Sequence, residues 1–431
     1  MLETLIWVTV LVCTILPLVA YSRARDPFHP ALILGGLSLF IYAYLPIKLI
    51  QSNELFSFVT EEQAAFGQSL ALAGLTVLLL STIVGGSATN GLAQSGVNAG
   101  SYSYKVLQNG AFVLGGAGMV CWGITIRGAG GFTGAFGQAY GAGWSEYGYV
   151  RDAVYLLIVA LMLLLTPECY QHRTKSWIGA VVLFSIPWIM QGLLGARRGP
   201  TFVIVLTLAM SWYLARRKRP SLVLLAAGGL GLGTIMLFLV ANRSVIHLGS
   251  DFELKTDITS GVTSATEANE YIFGTGSIIS ANQTGRYFWG RRYLAEILVR
   301  PIPKEIWPMK YEDFGVPELT QNAGAAGGGL QAVMGWSEIP GAAAAMIADL
   351  WVEFSWLYLP VLAGIGYGYG ATWRRAVTQG GPWNSQYVIL SVLSVYLVTQ
   401  SGEAVIFRLI ILSVPTWYVW RRAYQPHAIA F

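Results

Sequence analysis

Two adjacent arginines occupy a short turn between two apolar segments. Arg197 and Arg198 lie in the sequence Gly-Ala-Arg-Arg-Gly-Pro at positions 195–200. Charged side chains at membrane depth are costly and commonly mark function. A guanidinium group can pair with two phosphate oxygens at once, and flanking glycines let a headgroup approach the backbone. The pattern predicts a diphosphate-binding site, which Arg243, just past a later apolar segment, can join. The alternative is that these side chains reach the headgroups of anionic lipids.

Two carboxylates with helical spacing form a second candidate. Asp349 and Glu353 are four residues apart, so they share one face of the Ala-rich helix predicted at 341–354. A carboxylate at a membrane interface can accept a proton from a sugar hydroxyl or can pair with an arginine, and the sequence leaves both interpretations open. Glu338 and Glu403 are further candidates, since both are predicted on the same outer side.

His247 is the one histidine of four that is predicted on the outer side of the membrane. It is a candidate general base, although a solvated side chain is the alternative, because the sequence shows no group that would orient it. No His, Cys and carboxylate residues have metal-ligand spacing, and neither a P-loop, a nucleophile elbow nor a dinucleotide fingerprint is present. The sequence therefore predicts no metal and no cofactor.

The elements that must position these residues are membrane helices. The 431-residue chain is 54% hydrophobic and only 11% charged, whereas a soluble domain is usually about one quarter charged. Its mean hydropathy is +0.54, and its apolar residues recur in blocks long enough to cross a bilayer. These features exclude a cytosolic enzyme, a disordered tail and a secreted disulfide scaffold. They predict an all-α polytopic membrane protein with about 11 transmembrane helices. The predicted spans are 4–21, 30–50, 64–85, 106–126, 152–167, 177–194, 200–215, 221–241, 355–372, 386–400 and 404–420.

The lysines and arginines predict the orientation of these spans. With the N-terminus outside, thirteen basic residues fall in inside segments, among them the run Arg-Arg-Lys-Arg at 216–219, and four fall in short outside loops. Because cytoplasmic loops are enriched in positive residues, the predicted topology has the N-terminus outside and the C-terminus in the cytoplasm. The same bias explains the net charge of +5 without a nucleic-acid partner.

The chain is predicted to have three regions. Residues 1–241 hold the first eight spans, 242–340 form the one long polar segment, and 341–431 hold an external helix and the last three spans. The topology places 242–340 outside, and long loops translocate largely regardless of charge. Its eight basic and eleven acidic residues suit either an acidic ligand or internal pairing.

This large external loop contains candidate substrate-binding residues. Its segment 287–299 is amphipathic enough to lie along the membrane interface, and the prolines of 300–310 exclude a continuous helix there. The Gly-rich piece 324–329 is flexible enough to act as a lid. The candidate substrate contacts in the loop are Arg291, Arg292, Lys310 and Glu338.

Taken together, these features resemble the bacterial O-antigen or oligosaccharide repeat-unit polymerases, whose membrane fold is shared with the O-antigen ligases. The shared features are the number of spans, one large external loop late in the chain, Gly-Ala-Arg-Arg-Gly before span 200–215, and Pro-Ile-Pro-Lys-Glu-Ile-Trp-Pro-Met-Lys at 301–310. Trp-Val-Glu-Phe at 351–354 and the glycines of 364–370 are similar to the entry into the following span of that family.

The resemblance implies a GT-C-like glycosyltransferase of the bacterial inner membrane. Its substrate would be a polyprenyl-diphosphate-linked oligosaccharide, and it would transfer the growing chain to a newly flipped unit at the periplasmic face without a metal. Membrane lipid, a chain-length regulator and a flippase are the implied partners. Arg198 matches the family's Arg-Gly position, with Arg197 and Arg243 as helpers, and Glu353 or His247 would receive the proton of the attacking hydroxyl.

Three alternatives remain open. A ligase usually has a histidine late in the large loop, whereas His247 comes at its start. Another lipid-phosphosugar-dependent transferase would have an acidic pair beside a helix end in the first external loop. Glu61 and Glu62 lie in that loop, but no Asp-x-Asp or similar pair stands beside a helix end there. A flippase or transporter for lipid-linked sugars would carry charged residues near the middle of the membrane, and the predicted spans hold few ionisable residues.

Overall fold

The structure is a computed structural model that describes residues 1–87, 101–137, 148–195, 197–216, 218–242, 244–250, 253–254, 269–316 and 343–425. Most of these residues are helical. The helices are α1 (Leu2–Ala24), α2 (Pro30–Leu39), α3 (Leu45–Gln51), α4 (Glu61–Gly86), α5 (Tyr104–Gly128), α6 (Gly131–Phe136), α7 (Gly148–Ala153), α8 (Leu156–Leu164), α9 (Pro167–Gln171), α10 (Lys175–Leu193), α11 (Arg198–Ala215), α12 (Leu222–Ala241), α13 (Glu270–Thr284), α14 (Arg291–Leu294), α15 (Lys310–Asp313), α16 (Ala345–Phe354), α17 (Tyr358–Gln379), α18 (Pro382–Thr399) and α19 (Gly402–Ala423).

Short irregular elements join some of these helices. A π-helical turn at Phe40–Tyr44 connects α2 to α3, a second one at Ala295–Val299 continues α14, and 3-10 turns lie at Leu55–Ser57 and Ser355–Leu357. The strands β1 (Ser101–Tyr102) and β2 (Tyr424–Gln425) form an antiparallel pair of two residues each, with Ser101 opposite Gln425.

Nine helices within the described ranges are long and apolar enough to cross a membrane. They are α1, the joined α2 and α3, α4, α5, α10, α11, α12, the joined α16 and α17, and α19. The prediction of an all-α polytopic membrane protein is therefore confirmed, while the number of eleven spans stays a prediction. The two predicted spans outside this set are 152–167, where the helix is interrupted between α7 and α8, and 386–400, which is α18 with a polar first turn.

The chain forms two compact units, each built from three separate stretches of sequence. The first unit contains Met1–Ala88, Val262–Ala371 and Ser394–Phe407, and the second contains Thr89–Gly261, Thr372–Leu393 and Arg408–Phe431. Within the first unit, α13 and α16 pack against α4, and the three predicted regions stay a prediction.

In the first unit, α4 is the central span. It begins with a reciprocal cap in which Gln63 N–H donates to Thr60 Oγ1 and the Gln63 side chain accepts from Thr60 N–H. Deeper in the helix, the buried Gln68 amide donates to Thr9 Oγ1 at 2.9 Å and to the carbonyl of Tyr42 at 3.0 Å. These bonds join α1, the π-helical turn after α2, and α4 in an environment where an unpaired amide would be costly.

Glycines let α17 lie directly against α4. A Cβ atom added at Gly366 would collide with the Ser81 hydroxyl and the Leu78 carbonyl, and one added at Gly370 would collide with the Thr82 carbonyl. Small residues of this kind allow close approach between membrane helices. The glycines of 364–370, singled out in the sequence, thus include two that pack one helix on the other.

Two shorter helices, α13 and α16, are buried inside the first unit. Every residue from Glu270 to Ala281 is buried, and Gly274 permits close contact with the carbonyl of Ala344 just before α16. The N–H of Ile347 donates to the hydroxyl of Tyr42 at 3.1 Å. The helix predicted at 341–354 therefore exists as α16, and it lies in the protein interior.

Candidate functional site

A backbone connection attaches the chain before α14 to the end of α16. Phe288 N–H donates to the Val352 carbonyl at 3.1 Å, and Trp289 N–H donates to the Glu353 carbonyl at 2.6 Å. These carbonyl groups lie in the last turn of α16, where partners within the helix run out. Gly290 then precedes α14 with φ at 81°, a conformation that favours glycine. This turn directs the next side chains toward α16.

Arg292 lies in the interior between the two carboxylates of α16. Its side chain is 2% exposed, and those of Asp349 and Glu353 are 0% exposed. Its Nη2 donates to Asp349 Oδ1 at 2.8 Å, its Nε donates to Glu353 Oε1, and the guanidinium lies 4.9 Å from the Phe288 ring centroid. Burial lowers the pKa of Arg292, but Asp349, Glu353 and Glu403 outweigh it and raise the pKa above its usual value. Arg292 is therefore cationic.

The second oxygen of each carboxylate also accepts hydrogen bonds. Glu353 Oε2 accepts from Gly290 N–H at 2.8 Å, while Asp349 Oδ2 accepts from the Tyr293 hydroxyl at 2.5 Å and from Gly402 N–H at 2.8 Å. Burial, and then the charge of Asp349, raise the pKa of Tyr293 well above its usual value, so the hydroxyl keeps its proton and acts as the donor. These bonds connect α14, α16 and the start of α19.

Further charged groups surround this centre. Arg300 Nη1 donates to Glu296 Oε2 at 2.5 Å, and its guanidinium lies 4.3 Å from the Phe407 ring centroid. The half-buried Glu403 carboxyl lies within hydrogen-bonding reach of Glu296. We refer to these six charged residues as the Arg292 cluster; its members are Arg292, Glu296, Arg300, Asp349, Glu353 and Glu403. Among them, four carboxyl groups face two guanidinium groups.

Of the two interpretations that the sequence left open for Asp349 and Glu353, the geometry shows the pairing with an arginine, while a role as proton acceptor stays a prediction. Both carboxylates pair with an arginine, and both oxygens of each are hydrogen bonded. To act as a base, either residue would first have to release a buried charged partner, which is costly. Of the four carboxyl groups in the cluster, that of Glu403 is half-buried and the other three are buried.

The two arginines at 197–198 form the start of α11. Arg197 is the N-cap residue and Arg198 the first residue of this 18-residue helix. Arg197 N–H donates to the Gly192 carbonyl at 3.0 Å, and its own carbonyl accepts from Thr201 Oγ1 at 3.0 Å. Both side chains are half-buried. The N-terminus of a helix attracts anions through its dipole, so these residues combine a helix start with two guanidinium groups, and both features favour a phosphate group.

The other predicted site residues differ in their surroundings. His247 is half-buried in the second unit, where its Nδ1 lies 3.4 Å from the Leu248 carbonyl. Arg291 begins α14 with an exposed side chain. Arg197 and Arg198 belong to the second unit, like His247, whereas the Arg292 cluster belongs to the first. The predicted contributions of Arg243 and Glu338, and the lid at 324–329, lie outside the described residues.

Lys310, predicted as a substrate contact, binds the protein's own backbone. Its Nζ donates to the carbonyls of Val299 at 3.3 Å, Arg300 at 3.1 Å and Ile302 at 2.5 Å. The side chain is 2% exposed, and burial, followed by the positive charges of Lys304 and Arg300, lowers the pKa of Lys310. The three N–H groups of the Lys310 ammonium hold the proline-containing segment 300–310 in place, although its backbone does not form a continuous helix.

Several residues in and around the Arg292 cluster were not identified from the sequence. Tyr293 and the backbone N–H groups of Gly290 and Gly402 give no sequence signal, because their partners are 53 or more residues away. Glu296 and Arg300 do give a sequence signal, because their spacing of four is that of ion pairs on a helix. Within the described ranges, no group of three or more His, Cys, Asp and Glu residues has the arrangement of a metal site.

Comparison with known proteins adds no relative. No protein-family model matches the chain, and no curated protein and no solved structure matches it. The fold and the site together define an all-α membrane protein with a buried arginine–carboxylate cluster in one unit and an arginine pair at a helix N-terminus in the other.

Proposed function

We propose that this protein is a glycosyltransferase that polymerises polyprenyl-diphosphate-linked oligosaccharide repeat units into a surface polysaccharide. The observation that carries the proposal is the placement of Arg197 and Arg198 at the N-cap and first position of α11. Two guanidinium groups and a helix dipole favour the same ligand, a diphosphate at the membrane interface.

The proposed reaction transfers the growing glycan from its lipid carrier to the incoming unit. The bond between the anomeric carbon and the diphosphate oxygen breaks, and a bond forms between that carbon and a hydroxyl oxygen of the incoming unit. The bonding electron pair leaves on the polyprenyl diphosphate, whose developing charge the arginines stabilise. The hydroxyl proton passes to a base.

In this proposal, Asp349, Glu353 and Arg292 are positioning residues. They attach the segment 288–300, which the sequence assigns to the substrate loop, to α16 and to the start of α19. Eleven spans, a GT-C-like architecture, an N-terminus outside and a location in the bacterial inner membrane belong to the same proposal. They rest on the apolar blocks of the sequence, on the sequence resemblance and on the distribution of basic residues.

The test uses purified protein in detergent with a synthetic polyprenyl-diphosphate repeat unit and no nucleotide sugar. A ladder of longer lipid-linked glycans is the expected product. Arg198→Ala should reduce its rate at least 100-fold. Arg127→Ala is the matched control: Arg127 is exposed in the last turn of α5, on the same predicted outer side but at the helix end whose dipole does not attract anions.

The outcomes of this test are distinct. Loss of the ladder in Arg198→Ala but not in Arg127→Ala supports the proposal, and a ladder that survives Arg198→Ala contradicts the role of this arginine. Transfer of the glycan to a different acceptor without a ladder would identify a ligase instead. His247→Ala changes a half-buried side chain, and loss of the ladder in this variant would support His247 as the base.

A second candidate is a transporter for the same lipid-linked sugars. The observation that favours it is the Arg292 cluster, because buried ionisable groups in membrane proteins commonly lie on substrate or proton pathways. Asp349 and Glu403 belong to membrane-span candidates, a feature that the sequence interpretation underestimated. Movement of a labelled lipid-linked unit across a vesicle membrane, without any new glycosidic bond, would support this candidate.

A further inference from the structure

An apolar groove runs along α10 and α11 in the second unit. Its volume is 720 Å³, within the range of pockets that hold small molecules. Its walls include Ile178 and Val182 from α10 and Leu208 and Ala209 from α11. Ile178, Val182 and Ala209 are exposed, so the groove opens on the side of the helices that faces hydrocarbon in a membrane.

Two arginines and three aromatic rings close one end of the groove. Arg173 lies 4.9 Å from the ring centroid of Tyr170, and Arg216 lies 5.2 Å from that of Trp212. The rings of Tyr170 and Trp212 meet edge to face at 5.5 Å, and Tyr170 also contacts Trp177. The two guanidinium groups are thus held on neighbouring rings, and both side chains are exposed.

The groove and the arginine pair at 197–198 are at opposite ends of the same two helices. The groove's charged end adjoins the start of α10 and the end of α11, whereas Arg197 and Arg198 adjoin the end of α10 and the start of α11. An 18-residue helix is about 27 Å long, nearly the thickness of the hydrocarbon core. The groove therefore belongs to the other face of the membrane and is separate from the proposed diphosphate site.

The chemistry of the groove identifies its ligand. Aromatic rings concentrate at the level of lipid headgroups, and guanidinium groups there attract phosphate. The indole N–H of Trp177 already donates to the Leu164 carbonyl at 2.9 Å. It is therefore not needed by a ligand, and Trp177 offers a ligand in the groove an apolar surface. A ligand must therefore combine an anionic headgroup with a hydrocarbon chain.

We propose that this groove is a specific binding site for an anionic diacyl phospholipid. The phosphate lies between Arg173 and Arg216, and one acyl chain follows the groove between α10 and α11. The bilayer itself supplies this ligand at high local concentration, in the leaflet that the charge distribution assigns to the cytoplasm. Bound lipid then packs against both helices of the hairpin whose far end carries Arg197 and Arg198.

The test measures lipid retention by native mass spectrometry, with phosphatidylglycerol and phosphatidylcholine as probes of equal chain length. We expect wild-type protein to bind phosphatidylglycerol at least ten-fold more tightly. Arg173→Ala with Arg216→Ala should weaken this binding about thirty-fold, from the loss of two interfacial cations. Ala209→Trp fills the groove without changing the charge and should weaken it as well.

Arg422→Ala is the matched control. Arg422 is also an exposed arginine over an aromatic ring, at 5.4 Å from the Tyr418 centroid, near the end of α19, but it does not line the groove. This variant should retain phosphatidylglycerol as wild-type protein does. Thermal melting of each variant close to wild type confirms that lost binding does not reflect unfolding.

Three results would overturn the proposal. The first is equal binding of the two phospholipids by wild-type protein. The second is a double arginine variant that binds phosphatidylglycerol as well as Arg422→Ala does. The third is a competition experiment in which a polyprenyl monophosphate binds ten-fold more tightly than phosphatidylglycerol to wild-type protein and no longer binds to Ala209→Trp. That result would mean that the groove holds a carrier lipid.

Discussion

Replacement of Arg292 by methionine tests how the Arg292 cluster stabilises the fold. The change removes two charge-assisted hydrogen bonds, to Asp349 and Glu353, and each such bond contributes about 1.5–3 kcal/mol. It also leaves two fully buried carboxylates without their cation. Breaking a buried ion pair on one side costs about 3–5 kcal/mol, so we expect a loss of about 4 kcal/mol.

The assay is thermal unfolding of the detergent-purified protein, followed by size-exclusion chromatography after heating. For a unit of this size, a loss of about 4 kcal/mol lowers the midpoint by about 10 °C. The triple variant with Arg292→Met, Asp349→Asn and Glu353→Gln removes the unpaired charges and should recover at least half of the lost stability. Arg286→Met is the control, because Arg286 lies over the same Phe288 ring at 5.6 Å but is exposed.

The exposed control should cost less than about 1 kcal/mol. Two results would refute the reasoning. One is an Arg292→Met variant as stable as Arg286→Met, which would mean that the buried ion pairs contribute nothing net. The other is a triple variant no more stable than the single one, which would show that the loss comes from packing and not from unpaired charge.

Three further predictions concern other parts of the first unit. Gly370→Leu should destabilise the protein strongly through collision with α4, while Gly368→Leu, at a position with open space, should not, as thermal melting will show. Burial lowers the pKa of His29 to about 4, below its unfolded value of 6.5, so stability is complete above about pH 6.5 and falls by about 3 kcal/mol toward pH 4. His29→Asn keeps the helix cap and should flatten that profile. Lys310→Met should expose the 299–313 segment to limited proteolysis, because three backbone carbonyls lose their donor.

The membrane class of the fold follows directly from the sequence. Long apolar blocks are helices in a bilayer because no other local structure satisfies their backbone there. Two details could not be predicted from the sequence: the break in the helix between α7 and α8, and the polar first turn of α18. Hydropathy measures how favourably side chains enter a membrane. It does not measure the packing that allows a helix to be interrupted. The buried helix α13 was not predicted either. Its Thr, Ser and Gly residues resemble those of a polar loop, and the helix is buried because it packs against α4 and α16.

The candidate site was predictable only in part. The spacing of Asp349 and Glu353 places them on one face, as observed, and Arg292 was among the residues selected in the loop. Their association could not be derived, because it joins residues 57 and 61 positions apart. Lys310 failed for a different reason: its charge suggested a ligand, although its partners are carbonyl groups of its own segment. Long-range pairing of this kind leaves no periodicity in the sequence.

The central claim, that the protein forms glycosidic bonds at the expense of a lipid diphosphate, is tested most directly by the stoichiometry of the reaction. Purified protein is supplied with a repeat unit labelled in both its polyprenyl chain and its glycan, and released polyprenyl diphosphate and new linkages are counted together. We predict one polyprenyl diphosphate released for each linkage formed. Release of none, with the labelled units recovered intact, would contradict the claim.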